Sequence, residues 1–311
     1  MAGILVYSDK TALALELLSA AAAIAVREGL EIKAVSINNA AQAGELAARG
    51  AETYQISAPG LLVADTAAVA FCLKQAVDKL GADTVLLSSD RRGKELAGRL
   101  AQMLDAGCLT DVKGLEAAGG RTGFVRNALG GATVAVQVLK GPRRVLAVSP
   151  GAFSPQEPKA GGSIKELEVE TKPSGIKLVE TREKAADTVD IASARTLVVV
   201  GQGLEDKADL PAAEKLAAVL GGEVACSKPV ATDKKWLPEE RVIGLSGKIC
   251  KPDLALILGV SGQVQFTVGI REAKTIVSIN SDPNAYMNQM ADYVLVADLK
   301  DALPDLVRAL E

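Results

Sequence analysis

The sequence predicts an α/β protein of two domains: an N-terminal α/β domain with an antiparallel β extension over residues 1–190, and a C-terminal doubly wound parallel-sheet domain over residues 191–311. Three observations carry that prediction. A chain of 311 residues is longer than one small core organises. Short β-branched runs alternate with longer stretches of helical period, the pattern of parallel α/β units. That alternation stops at Leu109 and resumes only after Val179.

In chain order, Gly3–Tyr7 reads as a strand and Thr11–Glu28 as an Ala- and Leu-rich helix ended by Gly29. Ile32–Ile37 is the next strand, followed by a helix from Ala41 to Arg49 that stops at Gly50. The strand Thr53–Ile56, the helix Asp65–Leu80 closed by Gly81, the strand Thr84–Ser88 and the helix Gly93–Leu104 continue the series. Strand-like runs at Val112–Leu115, Gly123–Ala128, Thr133–Leu139 and Val145–Val148 then leave no room for crossover helices, so antiparallel hairpins are expected. Ser154–Ser163 is rich in Pro and Gly, and the polar stretch Thr181–Ala194 contains the expected domain boundary. Beyond it, Leu197–Val200, Leu254–Leu258, Thr275–Ile279 and Tyr293–Val296 read as strands, with helices at Ala208–Leu220 and Leu299–Leu310.

Composition narrows the chemistry. Lys and Arg total 35 against 38 Asp and Glu, so the net charge of −3 gives no basic field for nucleic acid or anionic lipid. There is no histidine, which excludes Ser-His-Asp and Cys-His catalysis and any histidine-ligated metal. Cys72, Cys108, Cys226 and Cys250 are too far apart for a CxxC pair, and no metal site is expected. The start of the chain carries no basic leader, and the stretch Leu17 to Val26, apolar but for Ser19, is too short to span a bilayer. A reducing, cytoplasmic location without membrane insertion is the expectation.

Three glycine-bearing segments follow strands. Gly201-Gln202-Gly203 starts like a dinucleotide fingerprint, but Asp206 stands where the third glycine belongs, which leaves a plain strand–helix turn as the stronger reading. Ile243-Gly244-Leu245-Ser246-Gly247-Lys248 is a partial phosphate loop; Ile249 follows the lysine, so no hydroxyl is placed for magnesium. Gly259-Val260-Ser261-Gly262-Gln263-Val264-Gln265-Phe266 opens a helical segment after a buried strand. Its amides could face an anion, or Ser261 could simply cap a core helix. Cys226 reads as a small buried apolar residue, and Trp236 as a partner-facing or loop-anchoring residue.

Together these segments, with Cys226-Ser227-Lys228-Pro229-Val230, Val277-Ser278-Ile279-Asn280-Ser281-Asp282-Pro283 and Ala291–Leu299, resemble the alpha subunit of electron transfer flavoproteins over roughly the last 115 residues. The front of the chain is similar more loosely, through Arg92–Ala101 and Val148–Phe153. The resemblance implies an electron-transport flavoprotein: a heterodimer with a beta subunit, an electron carrier rather than a stand-alone catalyst. FAD in the C-terminal domain would pass electrons between acyl-CoA dehydrogenase-type flavoenzymes and downstream acceptors. It also implies an N-terminal domain packed on the beta subunit. Carried over by position, the FAD contacts are Gln202, Ser227, Lys228, Ile243, Gly244, Leu245, Ser246, Ser261, Gly262, Gln263, Val264, Gln265, Phe266, Asn280, Asp298 and Leu299.

Family members usually have arginine at the positions of Gln202 and Lys228 and histidine at that of Phe266. Lysine keeps the charge without the planar fork of guanidinium, and phenylalanine donates nothing, so the resemblance implies a reduced flavin with less support for its negative charge. Two alternatives stand beside the carrier: a subunit of an NADH-dependent electron-bifurcating complex, and a flavin-free adenine-nucleotide-binding module.

Overall fold

Every residue of strand β1 (Gly3–Tyr7) is buried, and its side chains alternate between two cores. Leu5 and Tyr7 join one, Ile4 and Val6 the other. A strand covered on both faces has to be apolar throughout, which is why GILVY shows no polar alternation. The computed structural model describes residues 3–131, 133–180 and 189–310. The chain divides into two units: of the described residues, one takes in 3–129 and 133–180, the other 130–131 and 189–310.

In the first unit β1 is followed by α1 (Thr11–Glu28), β2 (Glu31–Ile37), α2 (Ala40–Ala47), β3 (Glu52–Ile56), α3 (Thr66–Leu80), β4 (Ala82–Ser88) and α4 (Arg91–Leu104). Leu17 and Ile24 of α1 and Leu46 of α2 cover one face, and Leu73 of α3 with Leu96 and Leu100 of α4 cover the other. Side chains start three of these helices. Asn39 accepts from the Gln42 amide, Asp65 from that of Ala68 and Asp90 from that of Gly93. Gly29 and Gly81 end α1 and α3 in the left-handed conformation.

The remaining strands are β5 (Gly107–Ala118), β6 (Arg121–Ala128), β7 (Thr133–Gln137), β8 (Arg144–Val148) and β9 (Ser163–Glu166). The sheet runs β7-β6-β5-β8-β4-β1-β2-β3-β9. The antiparallel extension is present as the β5–β6 and β6–β7 pairs. Val145–Val148 departs from the antiparallel expectation: β8 lies between β4 and β5 and is parallel to both. Its last four residues are buried whereas β7 is largely exposed, so the continuous apolar run belongs to a central strand and the alternating one to an edge. The edge strand β9 falls at the end of the Pro- and Gly-rich stretch. It is exposed along its length and held by parallel pairing with β3.

The predicted linker Thr181–Ala194 is described only in part, residues 181–188 lying outside the described residues. Beyond them Val189, Ile191 and Ala194 already pack in a core of the second unit. That unit contains β10 (Thr196–Val200), α5 (Leu210–Val219), β11 (Glu223–Cys226), α6 (Lys228–Thr232), β12 (Leu254–Leu258), α7 (Val264–Thr267), β13 (Thr275–Asn280), α8 (Tyr286–Met290), β14 (Tyr293–Val296) and α9 (Leu299–Leu310). All its strands are parallel, in the order β11-β10-β12-β13-β14. Val198 and Val200 face the core covered by α5 and α9, and Leu197 and Val199 face the opposite one. Each such buried side chain stabilises the fold by about 1.5–3 kcal/mol. The second face is covered by the short helices α7 and α8 and by loops. No helix among the described residues is long and apolar enough to cross a membrane.

Candidate functional site

In the second unit the strand order reverses between β10 and β12: from β10 the chain moves outward to β11, then returns past β10 to β12. Loops leaving the carboxyl ends of two such strands diverge, and the crevice between them is where open α/β sheets bind ligands. Here those loops are Gly201-Gln202-Gly203 and Gly259-Val260-Ser261, and a cleft of about 850 Å³ opens over them. That volume is ample for a large organic ligand.

The two loops touch through their backbones. The Gly201 amide donates to the Leu258 carbonyl at 2.8 Å and the Gly203 amide to the Gly259 carbonyl at 2.9 Å. Asp206, at the place of a third glycine, accepts from the Ala208 amide at 2.9 Å and so starts the turn into α5. The segment is the plain strand–helix turn that its sequence favours.

Gln202, Ser227, Lys228, Ile243, Leu245, Ser246, Ser261, Gln263, Gln265, Phe266 and Asn280 all line this cleft. Ser227 precedes α6 without capping it through its side chain, which leaves its hydroxyl for the cleft. The loop carrying Leu245 and Ser246 is folded back on itself, the Lys248 amide donating to the Val242 carbonyl at 2.8 Å. It is tied to the α7 segment by the Leu245 amide, which donates to the Gln265 carbonyl at 2.8 Å. After β12 the helical segment is a single turn, Val264–Thr267, with no side-chain cap. The Ser261 hydroxyl therefore does not cap α7, although its carbonyl accepts from the Met287 amide in the first turn of α8 at 3.2 Å. Among the described residues the amides of Ser261, Gly262 and Gln263 donate to no protein acceptor.

Five residues in the carried-over set stand outside the wall. Gly244 and Gly262 are seated behind it, and a Cβ on them would meet the Gln265 carbonyl oxygen at 2.3 Å and the Met287 amide nitrogen at 2.2 Å. Val264 starts α7 away from the cleft, with its side chain partly exposed. Asp298 accepts from the Lys300 amide at 2.9 Å at the head of α9, and Leu299 is buried in the core beneath Gly259. Asn280 lines the cleft but is engaged: its Nδ2 donates to the Val260 carbonyl at 2.9 Å and its Oδ1 accepts from the Asp282 amide at 3.1 Å. It ties the end of β13 to the loop after β12.

Gly203, Thr232, Asp233, Gly259 and Asp282 also line the cleft, and the carried-over set omits them. Gly203, Gly259 and Asp282 lie within segments singled out from the sequence, and Thr232 and Asp233 lie shortly after the one that ends at Val230. The signal was present at the level of segments, not of side chains. The charged groups at the wall are Lys228, Asp233 and Asp282. Cys226, at the end of β11 beneath the cleft, is fully buried, and burial pushes its thiol up to about 12. It is an apolar filler and not a redox thiol.

The cleft thus has a polar rim of backbone donors and hydroxyls and an apolar wall of Ile243, Leu245, Val260, Phe266 and Ala285. Gly201, Gly203 and Gly259 let the two turns meet as the floor of the cleft, because a Cβ on any of them would run into the opposing turn. These features fit a dinucleotide with a flat, largely apolar ring.

Comparison with known proteins agrees. Residues 190–271 match the electron transfer flavoprotein FAD-binding domain, and residues 8–173 match the electron transfer flavoprotein domain. Protein FixB of Escherichia coli O157:H7 is 34% identical over 310 residues, covering 98% of this chain and 97% of that protein. Protein FixB of Shigella flexneri is equally similar over the same shares of each chain. Protein FixB of Salmonella agona is 36% identical over 228 residues, 73% of each chain. The chain belongs to the electron transfer flavoprotein family, as an alpha-type subunit that carries the family's FAD-binding domain.

Proposed function

We propose that the cleft over Gly203 and Gly259 holds FAD and that, with a beta subunit, the chain relays electrons in the cytoplasm. The donor would be an acyl-CoA dehydrogenase-type flavoenzyme and the recipient a downstream acceptor. The observation that carries this reading is the coincidence of three things within the FAD-binding family region. They are the switch-point crevice, the free amides of Ser261, Gly262 and Gln263, and an apolar wall ending in Phe266.

Bound FAD supplies the redox chemistry. The protein supplies position, charge and exclusion of water. The free amides after β12 suit the pyrophosphate, as backbone donors at a turn into a helix do elsewhere. The Lys228 ammonium and the Ser227 hydroxyl, at the head of α6, add a cation and a donor on the opposite side. Ile243, Leu245 and Phe266 would keep water from the ring, and the Ser246 hydroxyl at the cleft wall would offer it a hydrogen-bond donor. Asn280 acts through Val260, as a brace. The N-terminal unit is assigned to the beta subunit interface, so that the FAD-bearing unit is left to meet redox partners.

The test is direct electron transfer. An acyl-CoA dehydrogenase reduced anaerobically by its own substrate is mixed with the oxidised heterodimer, and visible flavin absorbance is followed. The reading expects bleaching of the heterodimer's flavin. A flavin that dithionite reduces but the reduced dehydrogenase leaves untouched would exclude this class of donor.

A further inference from the structure

Lys234 lies on the segment that leaves α6. Its ammonium donates to the Leu204 carbonyl at 2.5 Å and to the Gln202 carbonyl at 3.2 Å. Both acceptors belong to the turn after β10 that lines the cleft. The same ammonium sits 4.2 Å from the centroid of the Trp236 ring. Trp236 is half-buried against the core of α5 and α9, and its amide donates to the Val230 carbonyl at 3.1 Å. Between them Lys235 has a φ of 55°, a left-handed conformation uncommon in residues with a side chain. The bend there brings the ammonium over the indole.

The geometry points to Lys234 as a positioning residue for FAD, an inference that rests on the reading of the cleft as the FAD site. A trans peptide directs its C=O and N–H to opposite sides. The Gln202–Gly203 peptide is held at both ends in this way, its carbonyl by Lys234 and its amide by the Gly259 carbonyl at 2.9 Å. Lys234 therefore fixes the turn after β10 against the turn after β12, which carries the free amides of Ser261, Gly262 and Gln263. Hydrogen bonds from a charged donor are about twice as strong as neutral ones. The indole face favours the cation at that spot and limits the conformations that its long stem must give up on binding. Lys234 touches no reacting atom. It acts through the loop.

The experiment uses the heterodimer stripped of flavin and titrated with FAD, binding being read from quenching of FAD fluorescence. Melting temperatures of the flavin-free proteins are measured beside it. Lys234→Met should weaken FAD binding by about tenfold or more. Lys234→Arg, which can donate to both carbonyls, should restore it to within about threefold. Loss of these contacts should lower flavin-free melting of the methionine variant by only about 2–6 °C, leaving it folded at the titration temperature. Lys234→Gln gives the same loss should the methionine variant not fold.

FAD binding by the methionine and glutamine variants equal to wild type would overturn the inference. So would an arginine variant as weak as the methionine one, or methionine and glutamine variants whose flavin-free forms are already unfolded at the titration temperature. A wild-type heterodimer that binds no FAD would instead overturn the reading of the cleft itself.

Discussion

Gly203 and Gly259 face each other across the point where the two turns of the reversal meet. A Cβ on Gly203 would lie 2.8 Å from the Gly259 α-carbon, and one on Gly259 would lie 2.7 Å from that of Gly203. The hydrogen bond between them depends on that approach. The same closeness shapes the floor of the cleft.

Gly259→Ala should therefore cost more than backbone strain. Gly259 has a φ of 61° and no room, whereas Gly221 has a φ of 62° and nothing within 4 Å of an added Cβ. Alanine at 221 should cost about 1 kcal/mol, the left-handed penalty alone. Alanine at 259 adds overpacking, for a total of about 2–4 kcal/mol. Chemical denaturation of both variants measures this, and equal losses would contradict the packing argument.

The thiols give a second prediction. Cys72, Cys226 and Cys250 are buried, and burial pushes Cys226 and Cys250 up to about 12 and about 11. At mildly alkaline pH a thiol reagent should leave these three untouched in the native protein and modify them after unfolding. Rapid native labelling of Cys226 would show that the base of the cleft opens.

Asp65 sets an acid limit on the first unit. Burial pushes its carboxyl up, but hydrogen bonds from the Ser174 amide and hydroxyl and the Ala68 amide outweigh this and hold it below the usual range. A carboxylate lowered on folding contributes its full stability above the unfolded value of about 3.9, and that contribution is lost as pH falls through the lower folded value. Asp65→Asn should cost on the order of 1–2 kcal/mol at neutral pH. The difference from wild type should shrink below about pH 4. Denaturation at neutral and acid pH checks it, and a pH-independent difference would contradict it.

Much of this was legible in the sequence, for reasons that particular residues make plain. Thr11–Glu28, Leu254–Leu258 and Leu299–Leu310 are bounded as their patterns indicate, because periodicity and the flanking residues point the same way. β8 was misread because its neighbours are hairpins. Its unbroken Val-Leu-Ala-Val run already carried the sign of a strand buried on both faces. Ser163–Glu166 had no signal, since an exposed edge strand needs no apolar side and is specified by its partner β3. In the site, motif segments located the cleft, but which side chains face it depends on how each turn packs. Asp298 and Leu299 sit behind Gly259, and spacing alone could not have revealed that.

Phe266 offers a fourth prediction. It lines the cleft and is 7% exposed. Phe266→His would place a donor there, and a group that can carry positive charge favours reduced flavin. The two-electron midpoint potential should rise by about 30 mV, equivalent to about 1.4 kcal/mol. Potentiometric titration of the wild type and the variant measures it. An unchanged or lower potential would mean that residue 266 does not bear on the flavin's charge.

The central claim is that this chain's own cleft binds FAD. Flavin content of the heterodimer, purified with wild-type chain and with Gly262→Val, tests it most directly, because any Cβ on Gly262 would lie 2.2 Å from the Met287 amide nitrogen beside the free donors. At least about one FAD per wild-type heterodimer is expected, with one equivalent lost in a variant that still assembles with the beta subunit. A wild type without flavin, or a folded variant that keeps its full flavin content, would contradict the account.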